Sequence, residues 1–497
     1  MNTRTAHFLR PLVLVLAALL SACSVGPNFR PPANDLNQAV LRADVDSPPA
    51  VSVSTDPVPR AWWSQFNDPV LDALLQQVWD SNLDLQAAAA RLAQSRARYG
   101  IASAGLYPTV GADAAYTRQR LSEHGPLVAL GAPTKPQNLW QANFDASWEI
   151  DFWNRQGRIN ESALAQVEAT AYEQEAIRVS LAAEIARHYL SLRGIQERLD
   201  IARQNQALAH DMVRLVQTRE RNGVAATADV AAARAQAAQV DALIPALTQQ
   251  QSVLMNKLAL ATGQPPRQLD TMLVATGKPP TVPRNVAVGL PSELAQRRPD
   301  IRKAEALLHA ATAAIGAAQA DFYPRIRLVG SFGVQSLDES TLGQWSARQF
   351  AVGPSIYLPI FEGGRLKRTL ELTQAREQEA AINYRKTVLQ AWHEIDDALN
   401  ARVAQYQQHQ SLQQAYQNSL QAFDATQRRY KNGVVDYVSV LVAQRTLLQD
   451  QLALSNSATE VSTSVVALYK ALGGGWDPES VGAAAAKMPA TIQDLAS

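Results

Sequence analysis

Four segments of the chain alternate between apolar and polar residues. The longest unbroken alternation runs from Trp140 to Phe152, thirteen residues that obey period two. Each segment reaches the ~9–11 residues that a tilted strand needs to cross a bilayer. The pattern favours membrane strands with one apolar face toward lipid, and a soluble sandwich of amphipathic strands is the alternative. The predicted strands pair as two hairpins, roughly 108–121 with 138–152 and 324–337 with 348–360.

Long helical tracts accompany the hairpins. Residues 154–221 and 362–431 lack proline and predict helices on the order of 100 Å long. Apolar residues at heptad spacing occur in patches, for example Leu181, Ile185 and Leu192, and alanine at other seam positions lets helices approach closely. Gln and Arg dominate the remaining faces, so one side of each helix is expected to be wet. Shorter helices are predicted over 82–106, 225–262, 299–322 and 434–473.

The mature chain consists of two copies of one plan. Four short motifs recur in the same order at offsets of 216, 209, 210 and 210 residues, among them Arg221 to Val224 and Lys431 to Val434. This period is much longer than a solenoid unit, so it predicts a duplicated half-domain. The predicted organisation is a signal peptide (1–22), a lipidated extended segment (23–65), a first repeat (66–275), a linker (276–298), a second repeat (299–476) and a loose tail (477–497).

The first residues predict where in the cell the protein is located. Arg4 and Arg10 precede nine apolar residues from Leu12 to Leu20, a run too short to span a membrane. Small residues then lead to Cys23, as in a bacterial lipobox, so Cys23 is predicted to become the lipidated N-terminus. Serine rather than aspartate at position 24 favours the outer membrane. The alternative is an ordinary signal peptide with an incidental cysteine.

Composition excludes several classes of function. There are 46 Lys and Arg against 45 Asp and Glu, so no basic footprint for nucleic acid exists. One cysteine excludes disulfides within the chain and four-cysteine zinc sites. His393-Glu394 begins like a zinc box, but its fifth residue is Asp397, and a solvated helix face is favoured. No residue pair qualifies for catalysis, so the sequence predicts neither an enzyme nor any cofactor or metal beyond the lipid on Cys23.

These features resemble the trimeric outer-membrane efflux channels of the TolC/OprM family, in the NodT-like lipoprotein branch. The resemblance implies an α+β membrane protein in which three chains, with four strands each, form a 12-stranded barrel continued by a periplasmic helical barrel. Physics supports an oligomer, because four strands alone leave unpaired edges in lipid, and twelve strands rather than eight begin to leave a lumen. The shared motifs are Cys23 to Phe29, Ser81 to Leu85, Gln296 to Ile301, Ile315 to Ala318, Leu358 to Phe361 and Leu468 to Trp476.

The function implied by the resemblance is the exit duct of a tripartite efflux system. Such a duct is a lipid-anchored homotrimer in the outer membrane that extends into the periplasm, and its partners are a periplasmic adaptor and an inner-membrane pump of the resistance-nodulation-division class. A duct for type I protein secretion is the alternative within the class. A periplasmic scaffold or an envelope enzyme is the alternative from another class.

Two helix-to-helix turns are predicted to form the periplasmic tip. Each contains an Asn-Gly pair that breaks a long helical pattern where the chain must reverse. In the family this turn touches the adaptor, and a turn without a partner is the alternative. The predicted contact residues are Asn222, Gly223, Val224, Asn432, Gly433 and Val434.

The resemblance also implies a closed gate beside these turns. There a tyrosine, Tyr430 here, bonds an aspartate, Asp229 here; alternatively, Asp229 is a solvated residue near a helix start. Three residues of the family pattern, an arginine and two aspartates of the pore ring, are replaced in this chain. Charge in the pore is therefore expected from Asp229 or Asp436, the third predicted gate residue. The departures fall on Val435, Ser439 and Val442.

Overall fold

The computed structural model describes residues 24–32, 53–54, 56–274, 280, 286–288, 297–477 and 481. The predicted signal peptide, Cys23, and most of the predicted linker and tail lie outside these ranges.

The strands are β1 (Val53–Ser54), β2 (Thr109–Gln119), β3 (Gln137–Ile150), β4 (Val286–Ala287), β5 (Arg325–Ser336) and β6 (Arg348–Tyr357). They form one four-stranded antiparallel sheet in the order β2-β3-β5-β6 and a short parallel pair, β1 with β4. Both predicted hairpins are present, β2 with β3 and β5 with β6, and the two hairpins join through β3 and β5.

The strand register collects the apolar residues on one face of the sheet. Phe144 pairs with Phe332, which in turn pairs with Phe350, so three aromatic side chains cross adjacent strands on one face. The neighbouring positions on each strand carry polar residues such as Asp145 and Ser331. Because side chains alternate between faces, this register gives the sheet one apolar and one polar side.

The α-helices are α1 (Pro69–Ser81), α2 (Leu83–Ala104), α3 (Pro126–Ala129), α4 (Arg155–Arg221), α5 (Thr227–Ala261), α6 (Asp270–Leu273), α7 (Pro299–Ala320), α8 (Arg365–Lys431) and α9 (Tyr437–Ala471). They repeat with the period seen in the sequence. The long helices α4 and α8 both have 67 residues, and α8 begins 210 positions after α4. The returning helices α5 and α9 both have 35 residues, and α9 begins 210 positions after α5.

The chain divides into two compact units, and each unit draws on both sequence repeats. The described residues within 1–31, 93–169 and 304–384 form unit 1, and those within 32–92, 170–303 and 385–497 form unit 2. The sequence predicted a division along the chain, between the repeats. The compact units differ from that division because equivalent parts of the two repeats pack together, with the sheet in unit 1 and the helix-to-helix turns in unit 2.

The main core of unit 2 gathers short elements around the long helices. Trp62 and Tyr469 are fully buried, and their rings stack with centroids 5.2 Å apart. Tyr189 donates a 2.6 Å hydrogen bond to Asp68, whose other carboxylate oxygen caps α1 by accepting from the Val70 N–H. Trp62–Phe66 is a 3-10 helix, so the end of the segment 23–65 that was predicted as extended is helical.

Several motifs of the family resemblance meet in unit 2. Asn82 donates to the Ala261 carbonyl oxygen at 2.8 Å and so satisfies the C-terminal end of α5. Arg298 is almost fully buried and donates to Asp300, to Glu394 and, at 2.8 Å, to the Ala471 carbonyl oxygen at the end of α9. These contacts connect the start of the second repeat to its long helix α8 and to its returning helix α9.

Candidate functional site

Two turns with the same geometry join the long helices to the returning helices. Gly223 and Gly433 have positive φ angles, 69° and 73°, which glycine adopts without steric cost. In the first turn the Gly223 N–H donates to the Glu220 carbonyl and the Val224 N–H donates to the Arg219 carbonyl, both at 2.9 Å. The second turn repeats both bonds 210 positions later. This is the Schellman arrangement, which ends a helix sharply.

The side chains of both turns are available to a partner. All six residues predicted at the tip are exposed, and Val224 and Val434 expose about two thirds of their surface. Unpaired apolar side chains at the end of a long helical pair are suited to contact with another helical protein. The role of these residues in adaptor contact stays a prediction.

A hydrophobic cluster, here called the turn cluster, packs the two repeats against each other beside these turns. Tyr430 and Tyr437 lie in it with ring centroids 5.9 Å apart, and both are buried. Burial raises the pKa of Tyr437 to about 12, so its phenol stays protonated. The cluster consists of Met212, Val216, Val230, Ala233, Phe423, Tyr430, Tyr437, Val440, Leu441 and Leu447.

Arg219 joins the first turn to the second. Its guanidinium lies 4.4 Å from the centroid of the Tyr430 ring, and its Nη1 donates to the Tyr430 carbonyl oxygen at 2.7 Å. The arginine therefore combines a cation–π contact with a cap on the last turn of α8, where the carbonyls carry partial negative charge. Burial raises the pKa of Tyr430, while the charge of Arg219 acts in the opposite direction.

Arg219 is not among the site residues predicted from the sequence. A signal was present, because Arg219 and Arg429 both lie four residues before a turn glycine, and basic residues favour the last turn of a helix. Which helix end the guanidinium reaches depends on the packing of the two repeats.

Asp229 and Tyr430 are not hydrogen-bonded to each other in this structure. The Asp229 carboxylate accepts from the Ala226 N–H at 3.1 Å and so satisfies the start of its own helix. The Tyr430 hydroxyl is buried without a hydrogen-bond partner among the residues that the structure describes. The expected bond is thus replaced by an intrahelical cap at Asp229, and whether these residues gate the channel stays a prediction.

Asp436, the third predicted gate residue, caps α9. It accepts from the Ser439 N–H at 3.0 Å and from the Ser439 hydroxyl at 2.6 Å. These hydrogen bonds lower the pKa of Asp436, so its carboxylate is charged at neutral pH. The carboxylate is exposed next to the second turn, where it can add negative charge.

The residues that follow Cys23 are docked on unit 1. The Val25 N–H donates to the Trp153 carbonyl oxygen at 3.4 Å, three residues after β3 ends. Gly26 packs directly on Gly316 of α7, and Asn28 accepts from the Arg158 guanidinium at 2.5 Å. Cys23 itself lies outside the described residues.

Contacts of His309 and Glu161 hold the end of the same segment. The Phe29 ring stacks on His309 with centroids 4.6 Å apart, and His309 contacts Glu161 at 2.9 Å. Glu161 also accepts from Arg158 at 2.8 Å. Burial alone would raise the pKa of the Glu161 carboxyl, yet the hydrogen bonds from His309 and Arg158 lower it. Arg158 of the first repeat and His309 of the second therefore hold Asn28 and Phe29, in the described part of the Cys23 to Phe29 motif.

The described residues contain neither a metal-binding cluster nor a membrane-crossing helix. These ranges contain no group of three or more His, Cys, Asp and Glu side chains placed to hold a metal ion. His393 lies in the middle of α8, where the start of a zinc box was considered in the sequence. None of the described helices combines the length and apolar composition that a membrane-crossing helix requires.

Comparison with known proteins identifies the family. The family described as "Outer membrane efflux protein" matches residues 74–264 and 290–474. The pyoverdine export outer membrane protein OpmQ of Pseudomonas putida is 34% identical over 87% of this chain and 92% of its own length. The outer membrane protein OprJ of Pseudomonas aeruginosa is 31% identical over 93% of this chain and 95% of its own.

A solved structure supports the same assignment. The structure of the outer-membrane channel OprN superposes with a TM-score of 0.84 at 31% identity, and covers 91% of this chain and 100% of its own. The fold class predicted from the sequence, long helices with four strands per chain, is confirmed, and so are the efflux function and the outer-membrane location. The chain belongs to the outer membrane efflux protein family, as an outer-membrane channel component rather than an enzyme.

Proposed function

We propose that three copies of the chain form the exit duct of a tripartite efflux system, which receives small molecules from an inner-membrane pump of the resistance-nodulation-division class and a periplasmic adaptor. The observation that carries this proposal is the four-stranded sheet. Its apolar face is exposed in the single chain, with Phe350 and Val352 exposing 80% and 73% of their surface. An exposed apolar face of this kind fits contact with lipid.

The edges of the sheet support an assembly of several chains. Within the described residues β2 and β6 each pair with one neighbour only. An unpaired strand edge in lipid costs several kcal/mol for each backbone group, so β6 of one chain is expected to pair with β2 of the next. Two chains would give eight strands, a barrel filled by its own side chains, whereas three give twelve and leave a lumen. The polar face would then line that lumen.

The docked N-terminal segment supports lipidation of Cys23. Two residues after Cys23, Val25 is hydrogen-bonded to the chain just beyond β3. A lipid on Cys23 would therefore start close to the end of a membrane strand, from which acyl chains reach the bilayer. Each buried methylene adds about 0.8 kcal/mol to membrane affinity.

The comparisons favour efflux over type I protein secretion. The matching family is described by efflux, and one relative is named for export of pyoverdine. We infer that this chain likewise exports small molecules rather than proteins. Complementation of a strain that lacks its own channel tests this inference. Expression of this chain should restore drug resistance and should not restore secretion of a protein substrate.

Single-channel recording in planar bilayers tests the duct directly. The purified protein is expected to conduct as a trimer, and the absence of any current would contradict the proposal.

A matched pair of variants on β6 tests which face of the sheet contacts lipid. Val352→Arg should reduce membrane insertion, since arginine on the lipid face costs about 2–4 kcal/mol at mid-bilayer. Ala351→Arg, on the opposite face, should still insert and should change only conductance.

A further inference from the structure

We propose that Arg429 binds Glu220 of the partner subunit, and that this ion pair closes the contact between neighbouring chains at the two turns. The inference rests on the proposed trimer and adds a residue pair to it. The inference follows from the internal repeat. The structure shows a contact from the first turn to the second turn within one chain. In a ring of chains, the equivalent contact runs from the second turn of one chain to the first turn of the next chain.

The contact within the chain is asymmetric. Arg219 of the first repeat donates to the Tyr430 carbonyl of the second repeat and covers the Tyr430 ring. In a ring of three chains the repeats alternate, so the second repeat of each chain faces the first repeat of the next. The residue equivalent to Arg219, 210 positions later, is Arg429, and the residue equivalent to Tyr430 is Glu220.

The backbone of both turns permits this equivalence. The Tyr430 carbonyl accepts from the Gly433 N–H and, through its second lone pair, from Arg219. The Glu220 carbonyl accepts from the Gly223 N–H in the same way, and no second donor to it is found among the described residues. A carbonyl oxygen has two lone pairs, so Glu220 retains an acceptor site where Arg429 of the partner subunit would donate.

The side chains make the contact between chains ionic. Where the first contact offers an aromatic ring to arginine, the second offers the Glu220 carboxylate. Neither Arg429 nor Glu220 has an ion pair within the described chain; Arg429 is exposed and Glu220 is partly exposed. The last turn of α8 carries the basic residues Arg428, Arg429 and Lys431, so an acidic partner is electrostatically favoured there.

Cross-linking in the assembled channel tests the pair. Glu220→Cys with Arg429→Cys, treated with a short bis-maleimide, should give covalent dimers and trimers on denaturing gels. Glu220→Cys with Arg428→Cys is the matched control, because Arg428 lies one position away on α8 and points about 100° to the side. Each single variant controls for any thiol at Cys23. Cross-linking no stronger than in the control, or confined to single chains, would overturn the proposal.

Charge reversal separates an ion pair from mere proximity. Glu220→Arg and Arg429→Glu each place like charges together at three equivalent contacts and should raise single-channel conductance about fivefold to tenfold. The double variant Glu220→Arg with Arg429→Glu restores opposite charges and should return conductance to the native level. Failure of that rescue, in a protein that still conducts as a trimer, contradicts this pair alone. A native protein without current contradicts the proposed duct instead.

Discussion

Gly26 rests on Gly316 so closely that a β-carbon on Gly26 would lie 2.4 Å from the Gly316 α-carbon. Gly26 also has a φ of +99°, which a side chain rarely tolerates. A glycine at each of two motifs almost 300 residues apart thus lets the N-terminal segment lie directly on α7. This contact fixes the residues that follow the predicted lipid attachment site.

Gly26→Ala should release the N-terminal segment without unfolding unit 1. The added methyl group meets backbone atoms, and the positive φ adds roughly 1–3 kcal/mol of strain. Chymotrypsin should therefore cleave after Phe29, whose ring stacks on His309 in the docked segment, faster than in the native channel. Gly131→Ala is the control, because Gly131 has a similar φ of +95° but no atom within 4 Å of the added group. Equal cleavage at Phe29 in the native protein and in Gly26→Ala would contradict the docking.

Cys23→Ser should abolish labelling by radioactive fatty acid. The barrel should still hold the protein in the outer membrane, so a trimer with partial export activity is expected. Ser24→Ala is a suitable control, since it keeps the predicted acceptor thiol. Equal fatty-acid incorporation in the native protein and in Cys23→Ser would refute lipidation at this position.

Bulky charged residues at the turn glycines should end export while the trimer stays folded. Gly223→Glu and Gly433→Glu place a side chain at a positive φ, and at Gly223 that side chain enters open space. The expected loss concerns adaptor docking, measured as drug resistance and as pull-down of the adaptor. Gly343→Glu, in the loop between β5 and β6, is the control for an exposed glycine elsewhere. Undiminished resistance in both turn variants would exclude adaptor contact at the turns.

The gate prediction has two distinguishable forms. Because the Tyr430 hydroxyl lacks a hydrogen-bond partner here, Tyr430→Phe alone should leave the stability of the channel unchanged or slightly higher. If the closed trimer forms the Tyr430–Asp229 bond, Tyr430→Phe with Asp229→Ala should raise conductance and admit large antibiotics such as vancomycin. If the double variant has the conductance of the native channel, the Tyr430–Asp229 bond does not close the channel, and packing and the contacts of Arg219 must do so.

Arg298→Met should destabilise unit 2 by about 1.5–3 kcal/mol, the range for hydrogen bonds to charged groups. The substitution keeps most of the side-chain volume but removes the bonds to Asp300, Glu394 and the Ala471 carbonyl. Thermal unfolding of the helices, followed by circular dichroism in detergent, measures the change. Arg60→Met removes an exposed ion pair with Asp477 and should cost less than about 1 kcal/mol. Equal effects of the two substitutions would argue against a structural role for Arg298.

The sequence by itself determined the elements and their repetition. Period-two alternation defined the strands because the two faces of a membrane strand meet different solvents, so that each position is constrained. The absence of proline over long stretches defined the helices, and Asn-Gly marked their ends, since both depend on local backbone preferences. The duplicated motifs gave the offset of 210 residues that the helices then show.

Tertiary structure decided which repeats touch and through which atoms. Arg219 reaches the Tyr430 carbonyl across 211 residues, and Asp229 caps its own helix instead of bonding Tyr430. Whether a charged side chain caps its own helix or binds a residue far along the chain depends on how the two repeats pack. The local sequences at the two turns are similar and do not encode that choice. The same holds for the two compact units, because each brings together segments that the linear repeat keeps apart.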